Sequence, residues 1–142
     1  MARTVLMPVD LSDENSWRRA LAEALAMLRT HGGVLHVVSV LPDFGMALVG
    51  NYFRPDYEKE ALKSFGAALA DWVTEHVPDD IEVHPHVLHG SIYDEILRAA
   101  DKLKADVIVI GSHRPELKDY LLGPNAARVV RHAKQSVYVV RG

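Results

Sequence analysis

Residues 107–141 read VIVIGSHRPELKDYLLGPNAARVVRHAKQSVYVVR, and the parsing of this stretch decides the fold. Val107 to Ile110 is an unbroken β-branched run, too short for a buried helix and apolar on both faces, as a central parallel strand must be. Val137 to Arg141 repeats the pattern and forms a further strand. Between them, Gly123 precedes a helical segment from Pro124 to Ala133, with proline at the first helical position, where its missing N–H costs least. Strand, loop, helix and strand in that order make a parallel crossover unit.

The same alternation runs through the rest of the chain. Thr4 to Val9 (TVLMPV) is a first strand, ended by Asp10. Ser12 stands as the N-cap of a helix carrying Trp17, Leu21, Leu25 and Leu28 at helical spacing, stopped by Gly32-Gly33. Val34 to Val40 is the second strand. Residues 41–54 lose all periodicity and form a loop that is long for a compact domain. Pro55 opens a second helix with the stripe Leu62, Phe65, Leu69, Trp72 and Val73, which Pro78 ends. Ile81 to Leu88 (IEVHPHVL) is a strand with one more polar face, and its internal proline places it at a sheet edge. Ser91 begins a third helix in an S-x-x-D capping pattern, with Ile92, Ile96, Ala100 and Leu103 facing inward.

Five strands and four helices joined by right-handed crossovers make a three-layer α/β/α fold. Its parallel, Rossmann-like sheet is expected in the order 3-2-1-4-5, as one domain over residues 1–142. In that order the chain leaves strands 1 and 4 in opposite directions, and open α/β sheets bind ligands in the crevice at such a switch point. Asp10 and Gly111 both fall there.

Composition narrows the function. The chain has 142 residues, enough to bury roughly two thirds of its unfolded surface. With 16 Lys and Arg against 19 Asp and Glu, the net charge of −3 argues against a general nucleic-acid binder. The absence of cysteine excludes disulfides, zinc–thiolate sites and thiol catalysis. The opening MARTVLMPVD meets an Asp too early for a signal peptide or membrane span, so a cytoplasmic protein without membrane insertion is expected.

The segment after Val107–Ile110 holds the densest set of candidates. Gly111 leaves room for a ligand near the strand end. Gly123 precedes a helix whose N-terminal N–H groups and positive dipole suit an anion. Arg114 offers a phosphate a bidentate partner and His113 a further donor. The other reading makes both glycines turn residues and leaves the Arg and His in solvent. No G-x-x-x-x-G-K-[ST] is present, and no G-x-G-x-x-G follows the first strand. That turn reads Pro8-Val9-Asp10-Leu11-Ser12. Asp10 there either accepts hydrogen bonds from ribose or adenine and helps hold a divalent cation, or merely caps the first helix.

His84 and His86 share a strand face while His89 points the other way. With no carboxylate close in sequence, a polar strand face is the preferred reading over a metal site. Ser39 and Ser91 lack sequence-local triad partners, and Trp17 and Trp72 fall on core stripes. Val137, Tyr138, Val139 and Val140 form an apolar edge strand, which two copies would protect by pairing about a two-fold axis.

VLMPVD near the start, HVVSV in strand two, HGSIYDEI entering helix three and the 111–133 segment together resemble the universal stress proteins over essentially the full chain. The wording GSHRP…YLLG-x-NAA-x-VVRHA is similar to the F- and G-type bacterial ATP-binding subgroup. The resemblance implies a dimeric stress-response or regulatory module that pairs through its last strand and acts on a regulatory protein partner. ATP, with Mg as its companion ion, would lie between strands 1 and 4. Pro8, Val9, Asp10 and Val40 would then hold the adenosine. Gly111, His113, Arg114, Gly123, Pro124 and Asn125 would hold the phosphates, and no residue would be catalytic beyond slow ATP hydrolysis.

Three departures from the family's Gly-x₂-Gly-x₉-Gly-Ser/Thr pattern stand out. Arg114 replaces the second glycine, eight residues rather than nine precede Gly123, and Pro124 replaces the hydroxyl residue. The first two are normal for the subgroup. Pro124 removes a hydroxyl and an N–H, so ATP binding is expected to be weakened. The alternative is an interaction module of the same fold without nucleotide.

Overall fold

The computed structural model describes residues 2–42, 55–112 and 124–141. Their elements run β1 Arg3–Pro8, a 3₁₀ turn Glu14–Ser16, α1 Arg18–His31, β2 Gly33–Pro42, α2 Pro55–His76, β3 Val83–Gly90, α3 Ile92–Lys102, β4 Val107–Ser112, α4 Pro124–His132 and β5 Ser136–Arg141. All neighbouring strands pair in parallel, in the order β3-β2-β1-β4-β5. Sequence and structure agree on fold class, strand order and element type. Strand boundaries differ by a residue or two, as at β3, which starts at Val83 rather than Ile81 and runs on to Gly90, and the start of α1 differs most.

Strand alternation assigns each residue to a layer. Val5, Met7, Leu35, Val37, Val107 and Val109 face α1 and α2. Leu6, Val38, Ile108 and Ile110 face α3 and α4. β1 and β4 are therefore buried on both faces, which is why their sequences carry no alternation of polarity. Each fully buried side chain of this kind is worth about 1.5–3 kcal/mol relative to exposure. Trp17 and Trp72 are core, as expected, with their rings edge to face at 5.1 Å. The Trp72 indole N–H has no hydrogen-bond partner among the described residues, and the rings of Trp17 and His76 surround it.

Two helix starts differ from expectation. Ser12 does not cap α1. Asp13 caps the 3₁₀ turn instead, its side chain accepting from the Asn15 N–H, and α1 begins after Trp17. The Ser12 hydroxyl and N–H both donate to Asp10, at 2.6 and 3.0 Å, so a local Asx turn has won over helix capping. Ser91 does occupy the N-cap of α3, yet its hydroxyl makes no capping bond.

The glycine pair ends α1 as expected. Gly32, at φ 74° and ψ 175°, accepts the N–H of Arg3 on its carbonyl and turns the chain into β2. Asp106 clamps the other side of β1, its carboxylate accepting the Thr4 N–H at 2.8 Å while its own N–H donates to the Thr4 carbonyl at 2.8 Å. Among the described residues, no helix is long and apolar enough to cross a membrane.

Candidate functional site

β1 and β4 are in register only at Val5–Val107 and Leu6–Ile108, whereas β1 with β2 and β4 with β5 hold six pairs each. Beyond Leu6 and Ile108 the two central strands part. The gap is the switch-point crevice, and it widens into a cavity of about 950 Å³. That is ample room for a nucleotide-sized ligand.

Its floor is the carboxyl ends of the strands, Pro8-Val9, Val38 to Val40 and Ile110 to Ser112. Phe65 and Ala68 of α2 form one wall, and Ile92 and Ile96 of α3 another. Asn125 and Ala126, in the first turn of α4, close a third side. The positive end of α4 thus meets the cavity, where anions are favoured. Among the described residues, the remaining rim is the loop from Asp10 to Ser16.

That loop is fixed by its own polar groups. Asp10 Oδ1 accepts from Ser12 twice, and the Ser16 hydroxyl lies 3.2 Å from the Asp10 N–H and 3.3 Å from its carbonyl. The Asp13 N–H donates to the same carbonyl at 3.1 Å. Asp10 therefore organises the turn after β1 rather than capping α1. Its carboxylate is exposed, and no hydrogen bond among the described residues engages Oδ2.

Gly111 makes a close approach that its position alone does not reveal. A Cβ there would stand 2.2 Å from the Ser16 carbonyl oxygen and 3.0 Å from its carbon. The 3₁₀ turn fills the side of the strand where a Cβ would project, while Gly111 itself still lines the cavity. Gly111 also serves the site indirectly, by letting the Asp10–Ser16 loop lie flat against β4.

Ser39 is the single buried polar residue among those described, 1% exposed, and its hydroxyl donates to the Val9 carbonyl at 2.9 Å. With Val9 N–H donating to Val38 at 2.8 Å, it holds the end of β1 against β2 so that Asp10 leaves at a defined angle. The serine acts as a structural tie. Its signal in the sequence is its position as the lone hydroxyl inside the apolar run HVVSV.

Of the residues singled out from sequence, Pro8, Val9, Asp10, Val40, Gly111 and Asn125 meet around the cavity. Pro124 opens α4 beside them, exposed to solvent. His113, Arg114 and Gly123 lie outside the described residues, as does the loop from 43 to 54. The sequence does not reveal Phe65 and Ala68 as walls, because the helical stripe marks Phe65 only as apolar. At the far edge of the sheet, Val140 is buried, Val137 and Val139 are partly buried toward α3 and α4, and Tyr138 is 40% exposed. The Tyr138 phenol donates to the Glu23 carboxylate on α1, which holds it above its usual pKa.

The histidines differ from expectation in two respects. Glu82 does supply a nearby carboxylate, 2.9 Å from His84 Nε2. A third ring from the neighbouring strand, His36, joins His84 and His86. No group of three or more His, Asp or Glu among the described residues has metal-binding geometry.

Comparison with known proteins places residues 1–141 in the Universal stress protein family. Universal stress protein G of Escherichia coli O157:H7 is 35% identical over 144 aligned residues, covering 99% of this chain and 100% of that protein. The structure of UspA from Lactobacillus plantarum superposes with a TM-score of 0.74 at 22% identity, covering 98% and 97% of the two chains. A universal stress protein of Archaeoglobus fulgidus, solved in complex with dAMP, gives 0.62 at 22% identity with 96% of each chain covered. A match across residues 1–141 and a shared parallel sheet lead to one conclusion: the chain belongs to the universal stress protein family.

Proposed function

We propose that this chain binds an adenine nucleotide, ATP by preference, in the crevice between β1 and β4, and that the bound nucleotide sets its activity as a regulatory module. The observation that carries this reading is the 950 Å³ cavity, which combines apolar walls with a carboxylate at one end and a helix N-terminus at the other. Val9, Val40 and Ile92 suit the faces of a base. Asp10 Oδ2 suits ribose hydroxyls, and the first turn of α4 suits phosphate. A fold relative in complex with dAMP supports the same ligand class.

Asp10 and Asp13 line the cavity, each with one oxygen already bound to the loop. This donor set is too small for an all-protein metal cage. A Mg²⁺ that arrives on the phosphates and takes one protein carboxylate is the alternative partner of Asp10, in place of the ribose. The chain's own contribution is to hold and orient the nucleotide, and regulation rather than turnover is the proposed role. Pairing of two copies through the exposed edge of β5 completes the proposed assembly, with a regulatory protein as its target.

Calorimetry with ATP, Mg-ATP and adenosine tests the reading. One nucleotide per chain is expected, and the absence of both heat and thermal shift at millimolar nucleotide overturns it. Asp10→Asn retains an acceptor for Ser12 but loses the charge, so the loop should persist while Mg-ATP binds about tenfold more weakly, roughly 1.4 kcal/mol. An unchanged affinity would remove Asp10 from the site.

Pro124 provides an independent test, because it places a ring where a hydroxyl and an N–H would face phosphate. Pro124→Ser should tighten ATP about tenfold, in line with the roughly 1.5–3 kcal/mol of a hydrogen bond to a charged group. Adenosine, which lacks the phosphates, should bind the variant and the parent equally. Parallel gains for both ligands would mean that residue 124 acts on something other than phosphate.

A further inference from the structure

Away from the crevice, three imidazoles gather on the sheet face that meets α3. Among the described residues β3 is an edge strand, hydrogen-bonded on one side only, and its partner β2 places His36 directly opposite His84. The His36 ring stacks on His84 with centroids 5.3 Å apart and inclined by 27°. It also lies 5.1 Å from the His86 ring, and His36 Nδ1 is 2.9 Å from His86 Nε2. His36 and His86 are half-buried, while His84 is exposed and turned to Glu82.

A neutral imidazole has one N–H and one lone pair, whereas an imidazolium has two N–H groups and no acceptor. The His36–His86 bond therefore exists only while at least one of the two rings is neutral. With both protonated, the lone pair is gone and two cations face each other within hydrogen-bonding distance.

We propose that His36, His84 and His86 form a proton-operated latch, which holds edge strand β3 on the sheet near neutral pH and releases it on acidification. The latch is separate from nucleotide binding and stands without it. Its mechanical consequence reaches the crevice all the same, because β3 runs through Gly90 directly into α3, whose Ile92 and Ile96 form a cavity wall.

The charges around the cluster act in a consistent direction. Burial lowers the pKa of His36 most, the charges of His86 and His84 lower it further, and Glu82 opposes them. His86 is lowered first by burial, then by His84 and by Lys102 at the end of α3. α2 packs on the opposite face of β3, where Gly66 meets Val87, so its charges lie across the sheet from the rings. Both groups thus titrate below the 6.5 of a free histidine when the strand is closed. The released strand binds protons first as pH falls. The latch is at full strength above about pH 6.5 and weakens through the window between that value and the lower folded pKa values. Each histidine changes the opening equilibrium by up to about tenfold per pH unit in that window.

Hydrogen exchange on the full chain, corrected for the intrinsic pH dependence of amide exchange, tests this at about pH 7 and about pH 5.5. Protection of β3 amides should fall more than about tenfold relative to β4 amides on acidification. The non-titrating variants His36→Gln and His86→Asn should abolish that differential. A wild-type ratio that stays constant, or an equal fall in the variants, overturns the latch. Disappearance of the effect in EDTA also overturns it, since it would assign the cluster to a bound metal. Should the variants fail to fold, NMR titration of the wild-type imidazoles decides: two rings titrating below 6.5 support the latch, and values at or above 6.5 for both overturn it.

Discussion

Gly111→Ala is expected to lower the stability of the ligand-free protein by about 2–3 kcal/mol, the upper part of the roughly 1–3 kcal/mol usual for forcing an extra carbon into a packed site. The new Cβ would lie 2.2 Å from the Ser16 carbonyl oxygen, a backbone atom that no rotamer change can remove. Either β4 or the Asp10–Ser16 loop must move. β4 is buried on both faces between β1 and β5, so the loop gives way. Moving Ser16 breaks its hydroxyl contacts with the Asp10 backbone and shifts the first residues before α1. Nucleotide affinity should then fall at least about tenfold along with the melting temperature, which for a chain of this size drops roughly 5–10 °C. The opposite pattern would follow if residue 111 simply left space for phosphate. Stability would then be intact and only affinity lost. Thermal melts of the ligand-free variant, followed by calorimetry, separate the two.

The difference between those readings shows what a sequence can convey. A glycine after a buried strand signals a close approach, but not which atoms approach. Here the approaching group comes from residue 16, and only the packed structure identifies it. The strand order was more accessible, because unbroken apolar runs at β1 and β4 require two covered faces and therefore central positions. Pro85 within a run that alternates in polarity likewise marked β3 as an edge.

Ser12 misled for a local reason. A serine ahead of Asp and Glu fits an N-cap, yet Asp10 two residues earlier captured both its donors and delayed the helix until Arg18. The histidine cluster was half visible. His84 and His86 share parity on one strand, but His36 enters through strand register, which no pattern within β3 records. The cavity's position was legible from topology alone. Its walls were not, because Phe65 and Ala68 reach it from α2, well separated in sequence from the strand ends that form the floor.

Gly33→Ala should be the more severe of the two glycine substitutions, costing about 4 kcal/mol or more and leaving much of the chain unfolded. Two penalties coincide at this residue. Its φ of 125° is a conformation that side chains rarely adopt, and a Cβ would overlap the Arg3 carbonyl oxygen at 1.8 Å and the Arg3 nitrogen at 2.5 Å. Arg3 begins β1 and pairs with Gly33 in the first rung of the β1–β2 ladder, so relief of the clash would have to separate the two strands. The strain cannot be absorbed locally, because the Arg3 N–H donates to the Gly32 carbonyl at 2.9 Å and the Thr4 N–H is held by Asp106. Gly32 supplies the control. At φ 74° with nothing within 4 Å of an added methyl, Gly32→Ala meets backbone strain alone and should cost only about 1–3 kcal/mol. Urea unfolding of both variants measures the difference. A Gly33→Ala protein as stable as Gly32→Ala would mean that β1 can leave β2 at its amino end without loss. The central sheet would then be anchored by its β4 contacts instead.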